Sequence, residues 1–221
     1  YGFVRLVHRI TATVDLLLAC FLLWHCLRPQ PIQPAASYAT LLLLLMLTLS
    51  ALGIWSSDPR LPLVNFLNIM GGFGLLTFSW RVALAAGPTP IREAASPPGL
   101  LLRLGVASLS VTVMLGAWIG ASYATVSCTS LPHCDGMWWL SSEGWAALDP
   151  FVKLAGAPQA GDPGGVTLHL LHRYSAVSTF LLLGIAGVRA LAHDPTRNAA
   201  RLVLFLLLVE IGLGVLTVLS G

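Results

Sequence analysis

The chain has 221 residues, 56% of them hydrophobic and 10% charged, with a formal net charge of +3 and a mean hydropathy of +0.81. Soluble domains carry about 25% charged residues, so the composition excludes an ordinary water-soluble globule and makes lipid the expected solvent. The small net charge and the lack of a basic tract exclude nucleic acid as a partner, and the sequence holds no P-loop, no GxGxxG after a strand and no HExxH.

Six apolar runs are long enough to span a bilayer, which takes about 17–25 residues. They fall at 3–27, 38–56, 62–86, 101–124, 166–190 and 201–220. The expected fold class is therefore an all-α membrane protein. The second run is the plainest, with unbroken leucine from Leu41 to Leu45, and the third is interrupted by Asn65 and Asn68. The stretches Arg28–Ser37 and Gly87–Gly99 are rich in proline, and His193–Asn198 reads as a short polar connection. The connection at 125–165 is long, and long connections in compact proteins usually have a function. Its Trp138, Trp139 and Trp145 suit a membrane–water interface.

Charge sets the expected orientation. One side carries Arg28, Arg81, Arg92, Arg103, Arg189, Arg197 and Arg201 against Glu93 and Asp194. The other carries Arg60 and Lys153 against Asp58, Asp135, Glu143, Asp149 and Asp162. The arginine-rich side should be cytoplasmic, which places the 125–165 loop outside. A bacterial-type inner (cytoplasmic) membrane or its equivalent is the expected location.

An internal repeat gives the organisation. Val7-His8-Arg9 opens the first run and Leu171-His172-Arg173 the fifth. Leu52-Gly53-Ile54 in the second run is matched by Leu213-Gly214-Val215 in the sixth. The reading is an N-terminal helical half at 1–86, a cytoplasmic linker at 87–100 and a C-terminal half at 101–221, three visible spans in each. The fourth run has no partner before Tyr1 and the third none after Gly221. Two four-helix halves whose outermost helices lie beyond this sequence would explain both gaps. The alternative is a six-span protein with an incomplete repeat.

His8 and His172 occupy equivalent places in that repeat. A neutral imidazole on a bundle helix is the usual axial ligand of haem iron, and Arg9 and Arg173 could each pair with a propionate. The competing reading is a pair of helix-end His-Arg dipeptides among the headgroups. His169 lies three residues from His172 on nearly the same face. That spacing suits a metal, but no Asp or Glu lies beside it in the run, so contact with a propionate or water at the rim is expected. Cys128 and Cys134, with five residues between them in Cys128-Thr-Ser-Leu-Pro-His-Cys134, are expected to form a disulfide on the outward side. Cys20 and Cys26 read as packing residues. Asp15 and Glu210 fall in apolar runs and should face the bundle interior. Gly71, Gly72 and Gly74 should allow close helix approach.

The stretch from Leu115-Gly116-Ala117 through Ser122-Tyr123-Ala124 to the cysteine loop and Trp138-Trp139 resembles the heme A synthase family. So do His172-Arg173 and the run Glu210–Gly221. The likeness is close over 101–221 and looser over 1–86. It implies an eight-helix protein of two four-helix halves that oxidises the methyl group of heme O to the formyl of heme A. It makes His8 the first axial ligand of one half and His172 that of the other, with haem iron held through His172. Arg5 stands where the family has a glutamate, and Asn65 and Asn68 stand where a second histidine should fall. The N-terminal half therefore reads as degenerate. If the chain is active, it is a heme A synthase-like oxidoreductase of haem biosynthesis. The alternative is a non-catalytic haem b-binding or structural subunit of a respiratory membrane complex. Expected associates are haem (haem b, or heme O and heme A as substrate and product), membrane lipids, and membrane proteins of a respiratory complex or of haem synthesis. An inverted-repeat transporter is disfavoured, because the repeat is parallel.

Overall fold

The computed structural model describes residues 2–28, 33–55, 61–87, 99–151, 156 and 158–220. They form α1 (Gly2–Leu27), α2 (Gln33–Trp55), α3 (Pro62–Ala86), α4 (Leu100–Ala121), α5 (Pro163–Ala190) and α6 (Asp194–Ser220). All six helices are long and apolar enough to cross a membrane, and no strand forms among the described residues. Helices satisfy their own backbone polar groups, as a lipid solvent demands. The chain is a multi-pass α-helical membrane protein.

Hydropathy placed the helix centres and misplaced several ends. α5 starts at Pro163, three residues before the apolar run, because Asp162 caps it. The Asp162 carboxylate accepts the Gly165 N–H at 2.9 Å, and proline suits the first helical turn, where its missing N–H is not needed. α6 starts at Asp194 with Pro195 next, seven residues before its apolar run. Much of the expected polar connection at 193–198 is thus the first turn of a helix, and an acidic residue there suits the helix dipole. α4 stops at Ala121, where Tyr123 turns left-handed at φ 55°. The 28 residues of α5 rise about 42 Å at 1.5 Å each, against about 30 Å of hydrocarbon. If Ala190 meets one rim of the hydrocarbon layer, the other rim falls about eight residues into the helix, beside His172.

The chain divides into two compact units. The first joins Tyr1–Asp58 with Leu67–Glu93, and the second joins Pro59–Phe66 with Ala94–Gly221. In the first unit, Cys26 packs with Ala35, Ala36, Ala39 and Val82. Gly71 and Gly74 lie against Leu49 and Leu45, as expected of close helix approach, while Gly72 faces open space. Arg81 donates to the Tyr38 hydroxyl at 2.6 Å. Cys20 and Asp15 are exposed on α1 and Glu210 is exposed on α6, against the expectation that they would be packed or enclosed. The α1 face that meets α2 carries Ala19 and Cys26 instead, and nearly all of α6 beyond Ala200 stands open.

The second unit is built on the pairing of α4 with α5. Gly105, Ser108, Thr112 and Gly116 recur at intervals of three and four, so they share one face of α4. Small residues let two backbones approach closely in lipid. A Cβ on Gly105 would run into Leu183, and one on Gly116 would stand 3.1 Å from the His172 ring. Hydroxyls fill the middle of the seam. Ser108 Oγ lies 2.9 Å and Thr112 Oγ1 3.0 Å from Thr179 Oγ1, and Ser108 donates to the Ser175 carbonyl at 3.3 Å. The turn Glu143–Leu148 packs over the start of α5, with Gly144 against Thr167 and Ala147 accepting the Trp118 indole N–H at 2.8 Å.

A Cβ at Gly144 would overlap Thr167 Oγ1 and crowd the Pro163 carbonyl. Overpacking of this kind costs about 1–3 kcal/mol. Gly144→Ala should therefore lower the thermal midpoint of the purified protein by several degrees. Gly184→Ala, where nothing lies within 4 Å of the added carbon, should not lower it. Equal midpoints for the two variants would contradict the packing described.

Candidate functional site

The site grows from residues 169–174 of α5 and the loop that returns to it. Cys128 and Cys134 are joined in a disulfide, their Cα atoms 5.1 Å apart. This fits the expected range. Beyond it the chain reverses at Asp135-Gly136. Cys134 and Met137 exchange both backbone hydrogen bonds, at 3.0 and 2.9 Å. The two central residues have φ of 51° and 87°. That is the type I′ turn an Asp-Gly pair favours, because both positions need positive φ.

Side chains then stiffen the loop. Thr129 Oγ1 donates to the Asp135 carboxylate at 2.9 Å, Ser130 Oγ accepts the Asp135 N–H at 2.7 Å, and His133 Nδ1 accepts the Gly136 N–H at 3.0 Å. The hydrogen bond from Thr129 holds the Asp135 carboxyl below its ordinary value, helped by the Thr129 N–H, Ser130 and the Arg173 charge, while partial burial works the other way. A depressed folded pKa means the contribution is complete above the ordinary carboxyl range and lost as pH falls through the depressed value. In a pH titration followed by NMR, the Thr129 amide should shift only below the usual carboxylate midpoint, and Thr129→Ala should move that midpoint up. An unmoved midpoint would show that this hydrogen bond does not set it.

α5 holds the loop down. Arg173 donates from one guanidinium nitrogen to the carbonyls of Pro132 at 3.2 Å and His133 at 2.7 Å. The Tyr174 hydroxyl donates to the Trp138 carbonyl. The other terminal nitrogen of Arg173 is buried without a hydrogen-bond partner. Arg173 thus clasps the loop with one arm and keeps a donor in reserve.

The two histidines of α5 are held differently. His169 Nε2 donates to the Ala124 carbonyl at 2.9 Å, tying the 3-10 turn Ala124–Ser127 to the helix. His172 Nδ1 donates to the Thr112 carbonyl of α4 at 3.0 Å. Both rings are half-buried, and Cys128, Cys134, Val166 and Leu170 form the apolar cluster beside them. Among the described residues no three His, Cys, Asp or Glu side chains come together as a metal cage.

The structure brings His169, His172, Arg173, Cys128 and Cys134 into one region of the second unit. His8 and Arg9 lie on α1 in the first unit, both exposed. Of the two asparagines where the resemblance leads one to expect a second histidine, Asn68 is exposed. Asn65 donates to the Ala121 carbonyl at 3.3 Å and to the Tyr123 hydroxyl at 3.4 Å, which supports the end of α4. The side chain of Arg5, and all of Arg92, lie outside the described residues. Sequence reasoning passed over Thr112, Gly116, His133 and Tyr174. Gly116 stood in the Leu-Gly-Ala motif and Tyr174 beside His172-Arg173, but nothing in their spacing says what they touch.

The family described as cytochrome oxidase assembly protein (COX15-CtaA) matches residues 2–221 of this chain. A protein of Shewanella oneidensis named heme A synthase is 28% identical over 225 residues, covering 97% of this chain and 66% of its own length. The chain thus spans just under two-thirds of that curated relative. No solved structure matches.

Proposed function

The chain belongs to the cytochrome oxidase assembly protein family, and from that premise we propose that it is a heme A synthase-like oxidoreductase, converting the methyl group of heme O to the formyl of heme A. The observation that carries the site is His172. Its Nδ1–H is committed to the Thr112 carbonyl, so the neutral ring has its lone pair on Nε2, the nitrogen that would bind haem iron. Beside it, the unpartnered Arg173 nitrogen is a donor suited to a propionate. These features fit a haem.

His172 would be the axial ligand, Arg173 the propionate partner, and the disulfide loop the cover over that end of α5. His169 supports this shell by fixing Ala124. When bound, haem would supply a redox-active iron, and a heme O substrate would carry the methyl group to be oxidised. The protein's part is to hold and orient it and to exclude water. His8 and Arg9 are proposed as the corresponding pair of the N-terminal half, in the division 1–86, 87–100 and 101–221. The membrane is proposed to be of the bacterial inner type, with the cysteine loop outside. Haem b is the proposed resident group, and membrane proteins of haem synthesis or of a respiratory complex are the proposed partners.

The test is expression in cells lacking their own heme A synthase, followed by extraction and separation of the haems. Formation of heme A supports the enzyme. Haem b alone on the purified protein, with no heme A in cells, favours the second reading, a haem-binding but non-catalytic subunit. The observation on that side is Asn65, which serves the scaffold at the place where a second histidine was expected.

A further inference from the structure

The α4–α5 seam sets one imidazole at a defined height and in a defined protonation. Thr112 is shared between two jobs. Its side chain joins the hydroxyls of Ser108 and Thr179 beside the Ser175 carbonyl, and its own carbonyl receives His172. Ser175 also donates to the His172 carbonyl at 2.8 Å. Gly116 follows Thr112 by one helical turn, on the same face. A Cβ there would lie 3.1 Å from His172 Cε1 and 3.5 Å from Nδ1, tighter than a ring tolerates without moving back. The missing side chain is what lets Nδ1 come within 3.0 Å of the carbonyl.

We propose that Gly116 and the Thr112 carbonyl form a seat that fixes His172 as the Nδ1–H tautomer, making them positioning residues for Nε2. The proposal rests on the haem reading only for what Nε2 serves. A neutral imidazole has one N–H. Given to Thr112, it leaves Nε2 bare, and Nε2 makes no protein hydrogen bond among the described residues. His169, three residues away, has the opposite assignment, with Nε2–H donated to Ala124. Two neighbouring histidines on one helix therefore carry opposite tautomers, and only His172 presents its outer nitrogen as a base.

The experiment is nitrogen-15 NMR of the histidine-labelled full chain in lipid nanodiscs, prepared under haem limitation at mildly alkaline pH. His172→Gln and His169→Gln assign the signals. The expected result is an Nδ1–H tautomer at His172 and an Nε2–H tautomer at His169. Gly116→Ala should mix the His172 populations and Gly116→Val should do so further. Gly184→Ala should leave them unchanged. An Nε2–H tautomer at His172 in the unaltered chain would overturn the proposal even if the valine variant failed to fold. So would an unchanged His172 signal in a folded Gly116→Val. The expected tautomers in a chain that never binds haem would instead sink the functional reading and leave the seat standing.

Discussion

Replacing His172 with Ala should strip the purified chain of its haem absorbance, while His8→Ala should leave most of it. The contrast follows from how the two rings are held. His172 is half-buried, its Nδ1 anchored to a backbone carbonyl of the neighbouring helix, with a spare guanidinium nitrogen beside it. His8 stands exposed on α1. An imidazole oriented through its second nitrogen binds metal better, and losing that orientation alone weakens a site about 10- to 100-fold. Loss of the ligand itself should weaken it by roughly a hundredfold or more. Reduced-minus-oxidised spectra of both variants, with disulfide formation as the check on folding, decide the matter. A full haem signal in folded His172→Ala would remove this residue from the site.

The second large effect should come from Arg173→Ala. Hydrogen bonds from a charged donor contribute about 1.5–3 kcal/mol each, and Arg173 makes two, to Pro132 and His133. The guanidinium is partly exposed, so solvent screening leaves a net of about 2 kcal/mol, or about thirty-fold in the opening equilibrium of the loop. Amides of Cys134 and Met137, paired in the type I′ turn, should exchange with deuterium faster by about that factor. Arg173→Lys keeps the charge without the planar fork and should fall between. The disulfide stays closed in both variants, so the measurement isolates docking from cross-linking. Unchanged exchange in Arg173→Ala would show that the loop is held by its apolar cluster and the Tyr174 hydroxyl without Arg173.

Much of this could be read in the residues before any coordinates. Apolar length found all six helices among the described residues, because a continuous apolar run of that length satisfies its backbone in lipid as a helix. Asp-Pro at 162–163 and 194–195 and Asp-Gly at 135–136 carried the helix starts and the loop reversal, yet apolar length alone passed over them. The cysteine spacing announced the disulfide. What stayed illegible was contact between helices. That Thr112 faces His172 depends on how far α4 slides along α5, and no periodicity within either helix records that offset. The burial of Asp15 and Glu210 was misjudged for a related reason. The cost of a carboxylate in lipid says that it wants shelter but not which surface supplies it.

The hydroxyl ladder separates two properties that are usually discussed as one. Close packing of small residues sets how tightly α4 and α5 hold each other. The ladder sets where they stop, like the pin in a sliding rule. Replacing Thr112 and Thr179 with isosteric valines would keep the grip and remove the pin. Such a protein could melt where the parent melts and insert as well, yet carry its imidazole a turn away from the carbonyl that orients it. A screen that scores only expression or heat resistance would pass it, and only an assay that senses the ring itself would notice the difference.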